Sequence, residues 1–132
     1  MIQKYQLTEE DFRGQQFKDH TFPLKGNNDI LSLTRPDIIR EICDQYLDAG
    51  ADILFTNTFS STRLGQSEYK IEYAVRDLNL ASARIAHEAV AVYSAKNPDK
   101  PRFVAGSIGP TNKTASLSPD VNDPAYRAIN FD

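Results

Sequence analysis

Apolar side chains recur at three- and four-residue spacing in two long stretches of this chain, which is the pattern of an amphipathic helix. The first stretch predicts a helix from about residue 36 to residue 49, with Pro36 in its first turn and Gly50 just past its end. Its apolar face consists of Ile38, Ile39, Ile42, Tyr46 and Leu47. The second stretch predicts a longer helix, from about residue 71 to residue 95. Its apolar stripe consists of Leu78, Ala81, Ile85, Ala89 and Val92.

Two short runs of adjacent apolar residues predict buried β-strands. The run from Ile53 to Phe55 follows the first helix, and the run from Phe103 to Ala105 follows the second. Small polar residues end both runs. Strands that alternate with helices of this length pair in parallel, through crossover connections. The order of elements therefore predicts an α/β fold.

The remaining segments are rich in turn-forming residues. Residues 14–33, 59–66 and 106–124 contain most of the glycine, asparagine, serine and proline, so we predict loops there. Two strands alone do not make a parallel sheet that is covered on both faces. A (β/α)8 TIM barrel takes about 250 residues. The 132 residues of this chain are therefore expected to form a partial barrel, with about two βα units and an N-terminal loop region.

Composition excludes several classes of function. The net charge is −3 and no long basic cluster is present, which argues against a nucleic-acid partner. No apolar run approaches the roughly 20 residues that span a bilayer, so no membrane partner is expected. Cys43 is the single cysteine, which rules out a disulfide within the chain and fits a reducing compartment. A cytoplasmic protein is expected.

The polar residues that follow the strands are candidates for substrate binding. The carboxyl ends of parallel barrel strands face the active site, so we expect Asn57 and Thr58 to line a pocket. After the second strand the same place is taken by Gly109, Pro110, Thr111 and Asn112. A glycine there lets the backbone approach a ligand closely. Ordinary turns are the alternative for both segments, because these residue types also favour turns.

The other polar residues give weaker signals. Asp29 ends a turn-like segment, where its carboxylate can bind an amine or cap a helix. His20 and His87 are isolated in the sequence, without a neighbouring nucleophile. No cysteine or histidine spacing typical of a metal site occurs, and Cys43 among isoleucines indicates a buried thiol. We therefore predict neither a metal ligand nor a catalytic residue in this chain.

Seven short segments together carry a resemblance to a known family. They are residues 12–14, 24–29, 49–53, 56–59, 102–106, 109–114 and 118–124. Two of them, Lys-Gly-Asn-Asn-Asp at residues 25–29 and Ser-Pro-Asp-Val-Asn-Asp-Pro at residues 118–124, are not general barrel features. In this order they resemble the N-terminal homocysteine-binding barrel of cobalamin-dependent methionine synthases. The similarity extends over essentially the whole chain.

The resemblance implies a zinc-dependent methylation of the homocysteine thiol. In the family, three cysteine thiolates hold Zn²⁺ and the homocysteine sulfur becomes the fourth ligand, which lowers the pKa of the thiol. The thiolate then attacks the methyl group of methylcobalamin, and methyltetrahydrofolate recharges the cobalamin. The implied substrate is homocysteine, the implied cofactors are zinc and methylcobalamin, and the implied partners are the folate and cobalamin modules of the complete protein.

The chain departs from the family pattern in several places. The family's first strand, with an Asp-Gly-Ala-Met-Gly-Thr type of motif, is expected upstream of Met1, and the zinc cysteines downstream. Cys43 corresponds to none of those cysteines, and Phe55 stands where many relatives have Glu. We therefore expect residues 1–132 to form a partial homocysteine-binding domain without the first strand and the C-terminal zinc-binding part. Such a part is expected to bind no cofactor and to be inactive alone.

Two alternatives remain open at the level of sequence. The chain can belong to a cobalamin-independent homocysteine methyltransferase that uses betaine or S-methylmethionine, although the segment at residues 118–124 argues against it. It can also be a non-catalytic truncated product. In the reading we favour, Asn57, Thr58 and residues 109–112 shape the homocysteine pocket, and Asp29 is a weaker candidate for the same role.

Overall fold

The computed structural model describes residues 1–129 and contains both helices and strands. In chain order the elements are α1 (Glu9–Arg13), α2 (Leu31–Thr34), α3 (Pro36–Asp48), β1 (Ile53–Phe55), α4 (Arg63–Ser67), α5 (Val75–Lys96) and β2 (Phe103–Ala105). Short 3-10 helices lie at Ile2–Tyr5, Asn28–Ile30 and Glu72–Ala74. None of the helices within residues 1–129 combines the length and the apolar character that crossing a bilayer requires.

The two strands lie side by side and run in parallel. Ile53 pairs with Phe103 and Phe55 with Ala105. The connection between them passes through α4 and α5, so the parallel pairing predicted from the alternation of strands and helices is confirmed. Both strands have the bounds that the sequence predicts. Their carboxyl ends therefore lie next to each other, which places residues 56–61 beside residues 106–112.

The α3 helix follows its sequence pattern closely. Pro36 occupies the first turn, and Gly50 follows the helix with a φ of 99°, a conformation that glycine adopts without strain. The Gly50 N–H donates to the Leu47 carbonyl at 3.0 Å, and the Ala51 N–H to the Tyr46 carbonyl at 3.0 Å. These two bonds satisfy the last free carbonyl groups and direct the chain into β1.

The α5 helix spans nearly the predicted residues, but its buried face is rotated from the predicted stripe. The side chains that it buries are Leu78, Ser82, Ile85, Ala86, Ala89 and Val90. Val92, which we assigned to the stripe, is 42% exposed. Ser82 is buried with its hydroxyl bonded to the Asn57 N–H at 2.6 Å, a polar contact that apolar periodicity does not detect.

Two segments predicted as loops contain short helices. Residues 14–33 include the 3-10 helix Asn28–Ile30 and the start of α2, and residues 59–66 include most of α4. Thr62 begins α4, because its side chain accepts a hydrogen bond from the Gly65 N–H at 3.0 Å. Helices of four or five residues are too short to show a 3.6-residue period, so the sequence pattern missed them.

The hydrophobic core lies between α2, α3, α5 and one face of the sheet. Its fully buried aliphatic side chains are Leu24, Ile30, Leu31, Ile71 and Leu78, and Leu47 is 2% exposed. Leu54 of β1 points into this core, whereas Ile53 is 54% and Phe55 70% exposed. The prediction of buried strands was therefore wrong for one face, which nothing covers in the part of the chain that the structure describes.

Candidate functional site at the carboxyl ends of the strands

Hydroxyl groups join the segments that follow β1 and β2. The Thr56 and Thr58 hydroxyls lie 2.7 Å apart, and both side chains are buried. The Thr58 hydroxyl donates to the Ser107 carbonyl at 2.7 Å, and the Ser107 N–H donates to the Thr56 hydroxyl at 3.0 Å. Thr58, predicted to line the pocket, thus uses its hydroxyl to hold the two strand ends together.

Gly109 lies directly against the segment that follows β1. Its N–H donates to the Phe59 carbonyl at 2.9 Å. A Cβ atom at position 109 would lie 2.6 Å from the same carbonyl oxygen, well inside contact distance. Glycine is therefore required for this close approach of two backbones. Pro110, Thr111 and Asn112 follow on the exposed side, where the Asn112 amide donates to the Glu68 carboxylate after α4.

Asn57 is fixed by three contacts, from α5, from α2 and from the 3-10 helix Asn28–Ile30. Its backbone N–H donates to the Ser82 hydroxyl of α5 at 2.6 Å. Its side-chain amide donates to the Asn28 carbonyl at 2.8 Å and to the Ser32 hydroxyl of α2 at 3.2 Å. The side chain remains half-buried, and its carbonyl oxygen accepts no hydrogen bond from within residues 1–129. Asn57 therefore keeps an acceptor for a ligand while its own position is held.

Asp29 lies beneath the same segment, 5% exposed. One carboxylate oxygen, Oδ2, accepts from the Ser60 N–H at 2.7 Å and from the Ser61 hydroxyl at 2.9 Å. Burial raises the pKa of Asp29, and the two hydrogen bonds oppose that rise. The residue thus sits under the candidate pocket wall and contacts its backbone.

A pair of buried amides lies next to this carboxylate. The Asn27 side chain donates to the Gln66 carbonyl oxygen of α4 at 2.7 Å, and the Gln66 amide donates to the Ser60 carbonyl at 3.0 Å. Gln66 is fully buried. Sequence reasoning missed Gln66 and Ser82. A serine at position 82, in an otherwise apolar helix face, was a sequence signal for a buried hydrogen bond. No comparable signal in the sequence pointed to Gln66.

A cavity of about 600 Å³ opens beside β1. Residues 53–57, α3 and the N-terminal residues 1–3 line it, and most of the contributing side chains are apolar. Asn57 lines this cavity, and the other six predicted site residues do not. The structure therefore brings Asn57, Thr58, Gly109 and Asp29 into one connected network, and it places Pro110, Thr111 and Asn112 at the exposed margin of that network.

The described residues do not fit a metal ion. Among residues 1–129 no three His, Cys, Asp or Glu side chains come close enough together to hold one. Cys43 is buried on α3, and burial raises the pKa of its thiol, which disfavours the thiolate that zinc requires. A thiol in this setting packs like a small apolar side chain.

Comparison with known proteins identifies a family. A family model described as homocysteine S-methyltransferase matches residues 1–132. This chain belongs to the homocysteine S-methyltransferase family. The family is broader than the cobalamin-dependent methionine synthases expected from the sequence, because its description does not specify the methyl donor.

Two solved structures are similar to this homocysteine S-methyltransferase chain. They show the homocysteine methyltransferase MmuM from Escherichia coli in a metallated and in an oxidized form. Each is 32% identical to the chain, with a TM-score of 0.54. The aligned region covers 61% of this chain and 28% of each MmuM chain. The chain thus corresponds to less than a third of the length of these relatives.

Proposed function

We propose that this chain forms part of the homocysteine-binding wall of a homocysteine S-methyltransferase. Its match to the family model along residues 1–132 carries the proposal. The network at the strand ends supports it, because the carboxyl ends of parallel strands are where α/β barrels bind substrates. In this proposal the two strands belong to a partial (β/α)8 barrel, and residues 1–132 are one part of the homocysteine-binding domain.

The proposal gives the described residues a binding role. Asn57 offers its free amide oxygen to the homocysteine ammonium group, and Thr58 and Gly109 keep the wall in shape. The exposed margin of that wall is formed by Pro110, Thr111 and Asn112. The methyl group passes from its donor to the homocysteine sulfur, whose proton is lost. Within residues 1–129 no three potential metal ligands lie close together, so the proposal assigns none of these residues a metal-binding role.

Two methyl-donor classes are candidates. The first is a cobalamin-independent homocysteine methyltransferase that uses betaine or S-methylmethionine, which the similarity to the homocysteine methyltransferase MmuM favours. The segment Ser118 to Pro124 favours the second candidate, a methionine synthase with zinc, methylcobalamin and modules for folate and cobalamin. A cytoplasmic location, supported by the single cysteine, belongs to either candidate.

A donor test separates the candidates. The longest polypeptide that the gene encodes is purified and incubated with homocysteine and, in turn, S-methylmethionine, betaine, or methylcobalamin with methyltetrahydrofolate. Methionine is then quantified. We expect it with one of the first two donors. Methionine formed only with methylcobalamin selects the second candidate, and no methionine with any donor contradicts homocysteine methylation.

An Asn57→Ala variant tests the binding role in the same assay. Removal of the amide oxygen is expected to raise KM for homocysteine by roughly tenfold, about 1.4 kcal/mol, while kcat stays nearly unchanged. Thr114→Ala on the exposed loop is the control, because within residues 1–129 the Thr114 hydroxyl forms hydrogen bonds only with the neighbouring Ser116. Equal KM values for the two variants would show that Asn57 does not contribute to homocysteine binding.

A further inference from the structure

Asp29 is a buried acid without a cationic partner. Its side chain is 5% exposed, and none of the ion pairs formed within residues 1–129 includes it. An unpaired carboxylate in the interior is unfavourable unless hydrogen bonds compensate for the lost water. Burial accordingly raises the pKa of Asp29. The position of this residue therefore needs an explanation beyond packing.

The compensating donors come from the segment that follows β1. Both the Ser60 N–H and the Ser61 hydroxyl donate to Oδ2 of Asp29, at 2.7 and 2.9 Å. The two donors are consecutive residues, so one carboxylate oxygen fixes the local backbone direction. Hydrogen bonds to a charged acceptor are about twice as strong as neutral ones, which suits this oxygen to hold a segment that has no regular structure.

Ser60 is held from its other side as well. Its carbonyl accepts from the Gln66 amide at 3.0 Å, and Gln66 is in turn held by Asn27 at 2.7 Å. Asp29 therefore holds the N–H of Ser60 directly, and Asn27 holds its C=O through Gln66. The residue before it, Phe59, carries the carbonyl against which Gly109 packs. The position of Ser60 thus sets how closely the segments after β1 and β2 approach.

We propose that Asp29 is a positioning residue for homocysteine binding, which holds residues 59–61 in place and does not contact the substrate. This inference rests on the proposed function, since it assumes that those residues border the homocysteine site. The positioning role differs from direct recognition of the substrate ammonium group by Asp29, which would require the negative charge of the carboxylate. A neutral acceptor of the same shape still accepts from both donors and therefore keeps the positioning role.

The test compares Asp29→Ala with Asp29→Asn in the longest polypeptide that the gene encodes. Two quantities are measured: the exchange rate of the Ser60 amide hydrogen, and KM and kcat for homocysteine. With Ala, we expect Ser60 exchange to be at least about tenfold faster and KM to rise roughly tenfold, with kcat little changed. Asn keeps an acceptor oxygen for both donors, so it is expected to restore both quantities to near wild-type values.

Several results would overturn the proposal. Unchanged Ser60 exchange in Asp29→Ala means that the carboxylate does not hold the segment. A KM in Asp29→Asn as high as in Asp29→Ala means that the charge acts on the substrate directly. If Asp29→Ala does not fold, Ser61→Ala removes one of the two donors and leaves the carboxylate. An unchanged KM and unchanged Ser60 exchange in that variant contradict the proposal.

The same experiment separates this inference from the proposed function. If the wild-type protein does not methylate homocysteine, the proposed function fails, and Ser60 exchange in the Asp29 variants still decides whether the carboxylate positions the segment. Asp37→Asn is the matched control, because Asp37 is an exposed acid whose carboxylate pairs with Arg35 and, among the described residues, accepts no hydrogen bond from residues 59–61. We expect that variant to change neither the exchange rate nor KM.

Discussion

The small polar side chains after β1 have two different structural roles, which the sequence alone does not distinguish. Thr56 and Thr58 are buried and bond to each other and to Ser107, so they join the strand ends. Asn57 lies between them in sequence but remains half-buried, with its amide nitrogen bonded and its oxygen free. Only alternation of side-chain direction along the extended chain separates the two roles.

A substitution at Gly109 tests whether the segment after β2 packs closely against the Phe59 carbonyl. In Gly109→Ala the new methyl group meets the Phe59 carbonyl at 2.6 Å, so one of the two backbones must move. We expect the free energy of unfolding to fall by about 1–3 kcal/mol, the usual cost of overpacking. Urea denaturation of the purified protein measures it.

Gly106→Ala is the matched control for that change. Nothing lies within 4 Å of a Cβ atom at position 106, and its φ is not in the left-handed region. We expect its stability to stay within about 0.5 kcal/mol of the wild type. Equal stabilities for the two alanine variants would show that the segment after β2 does not rest on Phe59.

At the scale of elements, the long helices α3 and α5 were predictable and the short helices α2 and α4 were not. The α3 and α5 helices show enough turns for a periodic apolar face, and their bounds agree with the pattern to within a few residues. The α2 and α4 helices depend on local bonds instead, such as the Thr62 side chain that accepts from Gly65. Such bonds are not visible in the spacing of apolar residues along the sequence.

The buried face of α5 leads to a paired prediction. Leu78 is fully buried and Leu80, two residues later on the same helix, is 38% exposed. Leu78→Ala removes core volume and is expected to lower the free energy of unfolding by about 2–5 kcal/mol. Leu80→Ala is expected to cost about 1 kcal/mol or less. Thermal or urea unfolding of both variants measures the difference, and similar losses would contradict the placement of Leu78 in the core and Leu80 at the surface.

The whole molecule leaves one face of its sheet uncovered within residues 1–129. Ile53, Phe55 and Phe103 alternate with inward-facing residues and are all more than half exposed. A two-stranded sheet also has two unpaired edges, which can pair with other chains. Apolar surface and open edges in one place favour self-association.

We therefore expect the 132-residue chain to self-associate through this face. Phe55 is 70% exposed, so Phe55→Lys adds a charge there with little loss of core packing. It is expected to shift the protein toward monomer in sedimentation velocity at micromolar concentrations. Tyr73→Lys changes a side chain of equal exposure, 71%, on the connection before α5 and serves as the control. The same monomer fraction in both variants would locate the association elsewhere.

The sequence by itself determined the two strands, the two long helices and the parallel α/β order, because periodicity and turn residues are local properties. It also indicated the homocysteine-related family through seven short segments, of which residues 25–29 and 118–124 are the most specific. Only the tertiary structure decided what each polar residue does. Asp29 meets Ser60, and Ser82 meets Asn57, across more than 20 positions of chain. Such contacts depend on how helices pack against the sheet, and no local pattern encodes that packing.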